Sequence, residues 1–76
     1  MDNDGQLELY TAVAVQLKEA HAKVRALQVP EGVRMALTRK LLVITAVAKH
    51  DLADATRRLE RFMKDLDAGR FPEEER

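Results

Sequence analysis

The sequence contains no cysteine and no serine. Disulfide bonds, thiolate metal sites and the two commonest side-chain nucleophiles are therefore excluded. Among the few threonines, Thr45 lies in an apolar segment, where its hydroxyl is expected to bond to the carbonyl of Leu41 one helical turn earlier. No glycine-rich phosphate loop is present either, because the three glycines are far apart at positions 5, 32 and 69. We expect no enzymatic activity and no cofactor.

The chain also lacks net charge and a long apolar run. Its 13 basic and 13 acidic residues cancel, so net charge favours neither nucleic acid nor an acidic membrane as a partner. The first residues are acidic, unlike a secretory or organellar signal. The longest nearly apolar run, residues 41–48, is far below the roughly 20 residues that span a bilayer. These features predict a cytoplasmic protein without a membrane partner.

Glycine and proline are scarce, and alanine, leucine, arginine, lysine and glutamate are common, which predicts an all-α fold. The 76 residues make one small domain, residues 1–76, with expected flexible ends at 1–6 and 70–76. A chain this short buries little surface. Without disulfides or metal, it must depend on regular helix packing or on self-association.

Apolar periodicity predicts a first helix from about Leu7 to Leu27. The apolar stripe of this helix consists of Tyr10, Val13, Leu17, Ala20, Val24 and Leu27. Before it, Asn3 and Gln6 have the spacing of a capping box. Pro30 ends this helix and suits the start of the next one, and the short connection predicts antiparallel neighbours.

The segment from residue 31 to residue 68 is compatible with two architectures. One is a single long helix, straight or kinked near His50. The other breaks at 50–51, with Asp51 as the N-cap, and gives a three-helix bundle. Against the break, the apolar stripe from Val33 to Leu66 stays in phase at about 100° per residue, and typical turn residues are missing. We predict the long helix, with the monomeric three-helix bundle as the alternative; Gly69 is expected to cap its C-terminus.

A long second helix would extend past the end of the first helix. Residues 41–48 are also apolar on all sides, which is typical of a helix buried all round. The side chains left without cover would be Leu42, Val43, Val47, Leu52, Ala55, Leu59, Phe62, Met63 and Leu66. Each large member is worth roughly 1.5–3 kcal/mol when buried. We therefore predict that these residues form an interface, in a two-fold homodimer with coiled-coil-like packing or with another helical protein.

Charge is unevenly distributed along the chain. Residues 34–64 carry eight basic and three acidic side chains, whereas residues 2–8 and 65–76 each have a net charge of −3. On a continuous helix, a basic ridge opposite the apolar stripe would contain Arg39, His50, Arg57, Arg61 and Lys64. Such a ridge could contact phosphates. The alternative is a solvated face with local pairs, Arg57 with Glu60 and Arg61 with Asp65.

Two other functional motifs are weak. Residues 44–49 followed by 55–58 resemble a helix-turn-helix superficially, but Leu52 and Ala53 fall where the turn should be. His50 and Asp54 are one helical turn apart but lack the third ligand that a metal site requires. The sequence therefore favours a non-enzymatic protein–protein interaction or assembly module. The alternative is a small DNA-associated transcriptional regulator that uses the basic ridge.

Overall fold

The computed structural model describes residues 2–72, with side chains from residue 7 onward. This part of the chain forms three α-helices and no strand: α1 (Asp2–Ala26), α2 (Glu31–Ala48) and α3 (Leu52–Asp67). At 1.5 Å per residue, α2 and α3 are about 27 and 24 Å long. Both exceed the two shorter dimensions of the molecule, 19 and 16 Å, so all three helices run along its 46 Å axis. Each helix packs against the other two, and the prediction of an all-α fold is confirmed.

The first helix begins earlier than the sequence suggests. It includes Asp2, so Asn3 lies inside the helix and does not cap it. The side chain of Gln6, the other half of the expected capping box, is outside the described residues. At the other end, the Arg34 guanidinium donates hydrogen bonds to the carbonyls of Val24 (2.7 Å) and Arg25 (3.1 Å). One side chain of α2 thereby caps two carbonyls at the C-terminus of α1, of which that of Val24 also accepts from the Leu27 N–H at 3.2 Å.

The prediction of one long second helix is wrong, because the chain breaks at Lys49–Asp51. The backbone N–H groups of His50 and Asp51 both donate to the carbonyl of Val47, at 2.9 and 2.8 Å, and close the end of α2. Asp51 is extended (φ −151°, ψ 92°) and its carboxylate accepts a hydrogen bond from the Asp54 N–H. An aspartate N-cap and tight backbone hydrogen bonds replace the glycine or proline expected in such a turn.

The break lets α3 fold back and cover the apolar side chains that the long helix would have left exposed. The buried core is Val13, Ala20, Val24, Leu37, Leu41, Ile44, Ala55, Leu59, Phe62 and Leu66. All three helices contribute to it. Cover within one chain avoids the several kcal/mol that association costs in lost translational and rotational freedom. The argument that α3 has no partner within the chain is therefore corrected.

Two details of the expected packing also differ. Tyr10, expected on the buried stripe of α1, is 61% exposed, and from residue 7 onward the first buried residue of this helix is Val13. Residues 41–48 are not covered on all sides, since Leu42 is 58% exposed and Val43 is 49% exposed. By contrast, the Thr45 hydroxyl donates to the Leu41 carbonyl at 2.9 Å, which confirms its expected role.

The C-terminal cap of α3 agrees with the sequence. Gly69 has a φ of +74°. Its N–H donates to the carbonyl of Leu66 (3.1 Å), and the Arg70 N–H donates to that of Asp65 (2.8 Å). This is the Schellman pattern, and it needs a residue that tolerates the left-handed conformation. Residues 73–76, expected to be a solvated tail, lie outside the described residues, and the flexibility of both ends stays a prediction.

Candidate interaction groove

An open groove of about 720 Å³ lies between α2 and α3. Four core side chains form its floor: Leu37, Ile44, Phe62 and Leu66. Val43 and Phe71 border the same groove and remain exposed to solvent. The charged lining residues are Arg39, Lys40, Arg58, Arg61, Arg70 and Asp65. The groove is therefore apolar at its floor and mostly basic at its rim. We call it the α2–α3 groove.

The groove arises because α2 and α3 repeat one pattern. On each helix, apolar residues that face the core and charged residues at the edge line the groove three or four positions apart, as in Lys40 and Ile44 on α2 and Arg58 and Phe62 on α3. Residues three and four apart share a helix face. Each helix therefore presents one row of lining residues, and the two rows lie side by side along the groove. Beyond α3, the turn at Gly69 directs the chain so that Phe71 and Pro72 close one end.

Part of the basic rim is neutralised by nearby carboxylates. Asp54 accepts from Arg58 at 2.9 Å and from Arg57 at 3.1 Å. The hydrogen bond from Arg58 lowers the pKa of the Asp54 carboxyl below its ordinary value, helped by the charges of both arginines and opposed by partial burial. Asp65 likewise pairs with Arg70 at 3.3 Å. The sequence suggested that Arg57 pairs with Glu60 and that Arg61 pairs with Asp65. Among the described residues, Arg57 pairs with Asp54 instead, and Asp65 pairs with Arg70.

The predicted basic ridge remains in part although its helix is broken. Arg61 lines the α2–α3 groove together with Arg39, and it lines a second depression together with Arg57 and Lys64. Arg61 and Lys64 make no ion pair with any residue of the described segment, and neither does Lys40. His50 lies in the α2–α3 turn and lines neither depression. Binding of phosphate by the ridge stays a prediction.

The predicted interface residues divide into two groups. Six of them pack in or against the intramolecular core together with Leu59, which is fully buried: Val47, Leu52, Ala55, Phe62, Met63 and Leu66. Leu42 and Val43 remain exposed. Successive residues on a helix point about 100° apart, so of these two exposed residues only Val43 lines the groove. Val43 is therefore the exposed member of the predicted interface that belongs to the groove.

The N-terminal part of α1 is a second unpartnered surface. The Lys23 ammonium pairs with Asp67 at 3.2 Å, so the C-terminal ends of α1 and α3 lie side by side. With 25 residues against 18 in α2, α1 is about 10 Å longer, and the excess lies at its N-terminus. The excess of seven residues corresponds to residues 2–8, and we call residues 2–10, which add the next two positions up to the exposed Tyr10, the N-terminal overhang. Its Leu7 is 65% exposed and Tyr10 is exposed to a similar degree.

The groove was not predicted from the sequence. A single helix over residues 31–68 leaves no space between two helices in this segment. The signal that could have revealed it is the repeated apolar and basic pattern at residues 36–44 and again at 58–66, which shows that two segments carry equivalent faces. The exposed position of Leu7 was also missed, because the apolar stripe was assumed to begin at Tyr10.

Other candidate chemistry finds little support in the described part of the chain. Asp54 is held by two arginines, while His50 lies on the preceding turn. No group of three or more histidine or carboxylate side chains with metal-binding proximity occurs among residues with described side chains. Within residues 2–72, none of the helices combines the length and the apolar character needed to cross a membrane.

Comparison with known proteins gives no match: no protein-family model, curated protein or solved structure is similar to this chain. Its function must therefore be inferred from the surface just described.

Proposed function

We propose that the protein is a non-enzymatic helical interaction module that self-associates, with the α2–α3 groove as its binding surface. The observation that carries this proposal is the exposed apolar lining of the groove. The core is complete within the chain, yet Val43 and Phe71 remain exposed beside an apolar floor. Such a surface is suited to binding an apolar helix.

Contiguity distinguishes this surface from ordinary exposed hydrophobic residues. Single exposed apolar side chains are common on soluble proteins. An apolar patch with a polar rim is typical of a binding site. In the groove, Val43 and Phe71 supply the exposed apolar surface beside a floor whose core side chains are at most 7% exposed, and the rim is basic. Binding of an amphipathic helix in a groove between two helices is a recurring recognition mode.

The oligomeric state tests this proposal. Light scattering over a wide range of protein concentration should show a mass rising above the 8.6 kDa of one chain. Val43→Gln should weaken self-association. Leu42→Gln should have little effect, because Leu42 is similarly exposed on the same helix but lies outside the groove. A monomer at every concentration would overturn the proposal.

A second candidate function is a small DNA-associated regulator, supported by Arg61 and Lys64, the ridge residues that form no ion pair with a described residue. The three-residue break before α3 now fits the turn length of a helix-turn-helix. The shape of the bundle argues against this candidate. Its helices run along the 46 Å axis, whereas the two helices of a helix-turn-helix cross at a large angle. We therefore rank it second.

DNA binding measured at increasing salt tests this second function. If the ridge neutralises phosphates, affinity should fall steeply as salt is raised. Arg61→Ala and Lys64→Ala should each reduce the affinity and the salt dependence, whereas Lys18→Ala on α1 should leave both unchanged. Binding that is absent, or insensitive to these variants, would remove this candidate. The cytoplasmic location inferred from the sequence stays a prediction under either function.

A further inference from the structure

We propose that the α2–α3 groove receives the N-terminal overhang of α1 from a second copy of the chain. This inference rests on the self-association proposed above, and it names the segment that enters the groove. Three properties of the two surfaces carry it: their length, their charge and their apolar side chains.

The lengths of the two surfaces agree. The groove is lined from Ala36 to Ile44 on α2 and from Arg58 to Leu66 on α3. Each stretch is about 12 Å long at 1.5 Å per residue. The part of α1 that extends beyond α2 is about 10 Å long by the same measure. A helix of two to three turns therefore fits the groove along most of its length.

Their charges are complementary. Residues 2–8 carry three acidic side chains and no basic one. Five basic residues and one acidic residue line the groove. Of the basic residues, Lys40 and Arg61 make no ion pair within the described residues, and Glu8 of the overhang is exposed and has no such pair either. Opposite charges on two surfaces favour their correct docking and accelerate encounter.

Their apolar side chains are also suited to each other. Leu7 and Tyr10 are three residues apart and so share one face of α1. Both are well exposed. In the groove, Val43 and Phe71 are exposed beside the core residues of the floor. Docking would remove these side chains from water on both partners, and burial of apolar area is the main driving force of association.

One chain cannot fill its own groove with this segment. Val13 is the first buried residue among the described side chains of α1, and the overhang continues this helix, which is fixed in the bundle. The overhang extends past the end where α2 passes into α3, whereas Phe71 and Pro72 close the groove near the opposite end. The contact is therefore intermolecular. It can close by reciprocal exchange between two copies or continue head to tail.

A charge-reversal series tests the proposal by sedimentation or light scattering. Glu8→Lys and Arg61→Glu should each raise the dissociation constant about tenfold, because each places like charges opposite one another. The double variant should return to within about threefold of the wild type, because its overhang and groove are again opposite in charge. Lys18→Glu and Glu19→Lys are matched controls with the same charge changes at exposed sites outside both surfaces. They should leave association unchanged.

The apolar contribution has its own control. Leu7→Gln or Tyr10→Gln should weaken association, while Val15→Gln, exposed further along α1, should not. Circular dichroism verifies that every variant keeps its helix content. If the wild type associates but neither the charge nor the apolar variants change its affinity, the overhang is not the occupant, although self-association stands.

Two further results would overturn the proposal. A double variant as weak as the single variants would show that Glu8 and Arg61 do not act on one contact. A wild type that stays monomeric, and associates only after residues 73–76 are deleted, would assign the groove to the acidic C-terminal segment of its own chain. That segment, Glu73–Glu75, follows Pro72 at the rim directly in the sequence.

Discussion

Replacing Asp51 by alanine tests the feature that separates this bundle from one long helix. The Asp51 carboxylate accepts the Asp54 N–H at 3.0 Å while its own backbone is extended. Alanine keeps the backbone but removes the acceptor. An N-cap of this kind is worth about 1 kcal/mol, within a range of roughly 0.5–2 kcal/mol. For a domain of this size, a loss of about 1 kcal/mol lowers the midpoint of thermal unfolding by about 4–8 °C.

The assay is urea unfolding followed by circular dichroism at one fixed protein concentration, because self-association would make stability depend on concentration. Asp51→Asn is the matched control, since its side-chain oxygen can still accept the hydrogen bond. We expect it to lie within a few tenths of a kcal/mol of the wild type. Light scattering on the same samples reports the mass.

Two outcomes would refute this reasoning. If Asp51→Ala is as stable as the wild type, the cap does not stabilise α3. If it is more stable and also dimeric, the chain prefers the long helix once the cap is removed. The second result would show that burial of Leu59 and its neighbours within one chain is not sufficient to maintain the bundle.

Three further predictions concern the core, the α1 end and pH. Leu59→Ala should lower the free energy of unfolding by about 2–5 kcal/mol, because this leucine is fully buried; exposed Leu42→Ala should cost less than about 0.5 kcal/mol at a concentration where the protein is monomeric. Arg34→Met should cost about 1 kcal/mol, because the Arg25 carbonyl loses its donor and the Val24 carbonyl keeps only the longer bond from the Leu27 N–H at 3.2 Å. The pKa of the Asp54 carboxyl is lowered in the folded state. The ionised carboxyl therefore stabilises the folded state at pH values above its ordinary pKa of 3.8, and this stabilisation is lost as the pH falls below that value. Unfolding of the wild type and of Asp54→Asn, measured from neutral to acid pH, should show the flatter dependence for the variant.

Each of these has a result that contradicts it. Equal losses for the two leucine variants would mean that α3 does not pack as described. Arg34→Lys should recover part of the lost free energy of unfolding, because lysine keeps the positive charge at the end of α1. If Arg34→Lys is less stable than Arg34→Met, Arg34 does not act as a cap. Parallel pH curves for the wild type and the asparagine variant would show that Arg57 and Arg58 do not favour the ionised Asp54 carboxyl.

The sequence predicted local structure better than the path of the chain. The C-terminal ends of α1 and α3 were predicted within a residue or two, because Pro30 and Gly69 impose specific backbone conformations. The sequence is compatible with a break near 50–51 but favours a continuous helix, since the apolar stripe keeps its phase through this segment. That agreement does not require a continuous helix. Both α2 and α3 must turn an apolar face to one core, and a loop leaves the phase of the second helix free.

The candidate groove was less accessible to prediction than the fold. Its residues could be recognised as basic or apolar from the sequence, and Val43, Arg39 and Arg61 were indeed proposed for function. Their common location depends on where α3 lies against α2, which is set by tertiary packing and not by periodicity. The exposure of Leu7 depends in the same way on how far α1 extends beyond the other helices.

The two short connections also have a consequence for folding. The α1–α2 and α2–α3 links bring neighbouring segments together, and the Asp51–Asp54 cap with its arginines is entirely local. Helical bundles with mostly local contacts fold on the microsecond to millisecond timescale. Encounter with a second copy at ordinary concentrations is much slower for a typical association rate of about 10⁵–10⁷ M⁻¹s⁻¹. Each chain therefore completes its own core before it meets another, and the groove is formed in advance of any assembly.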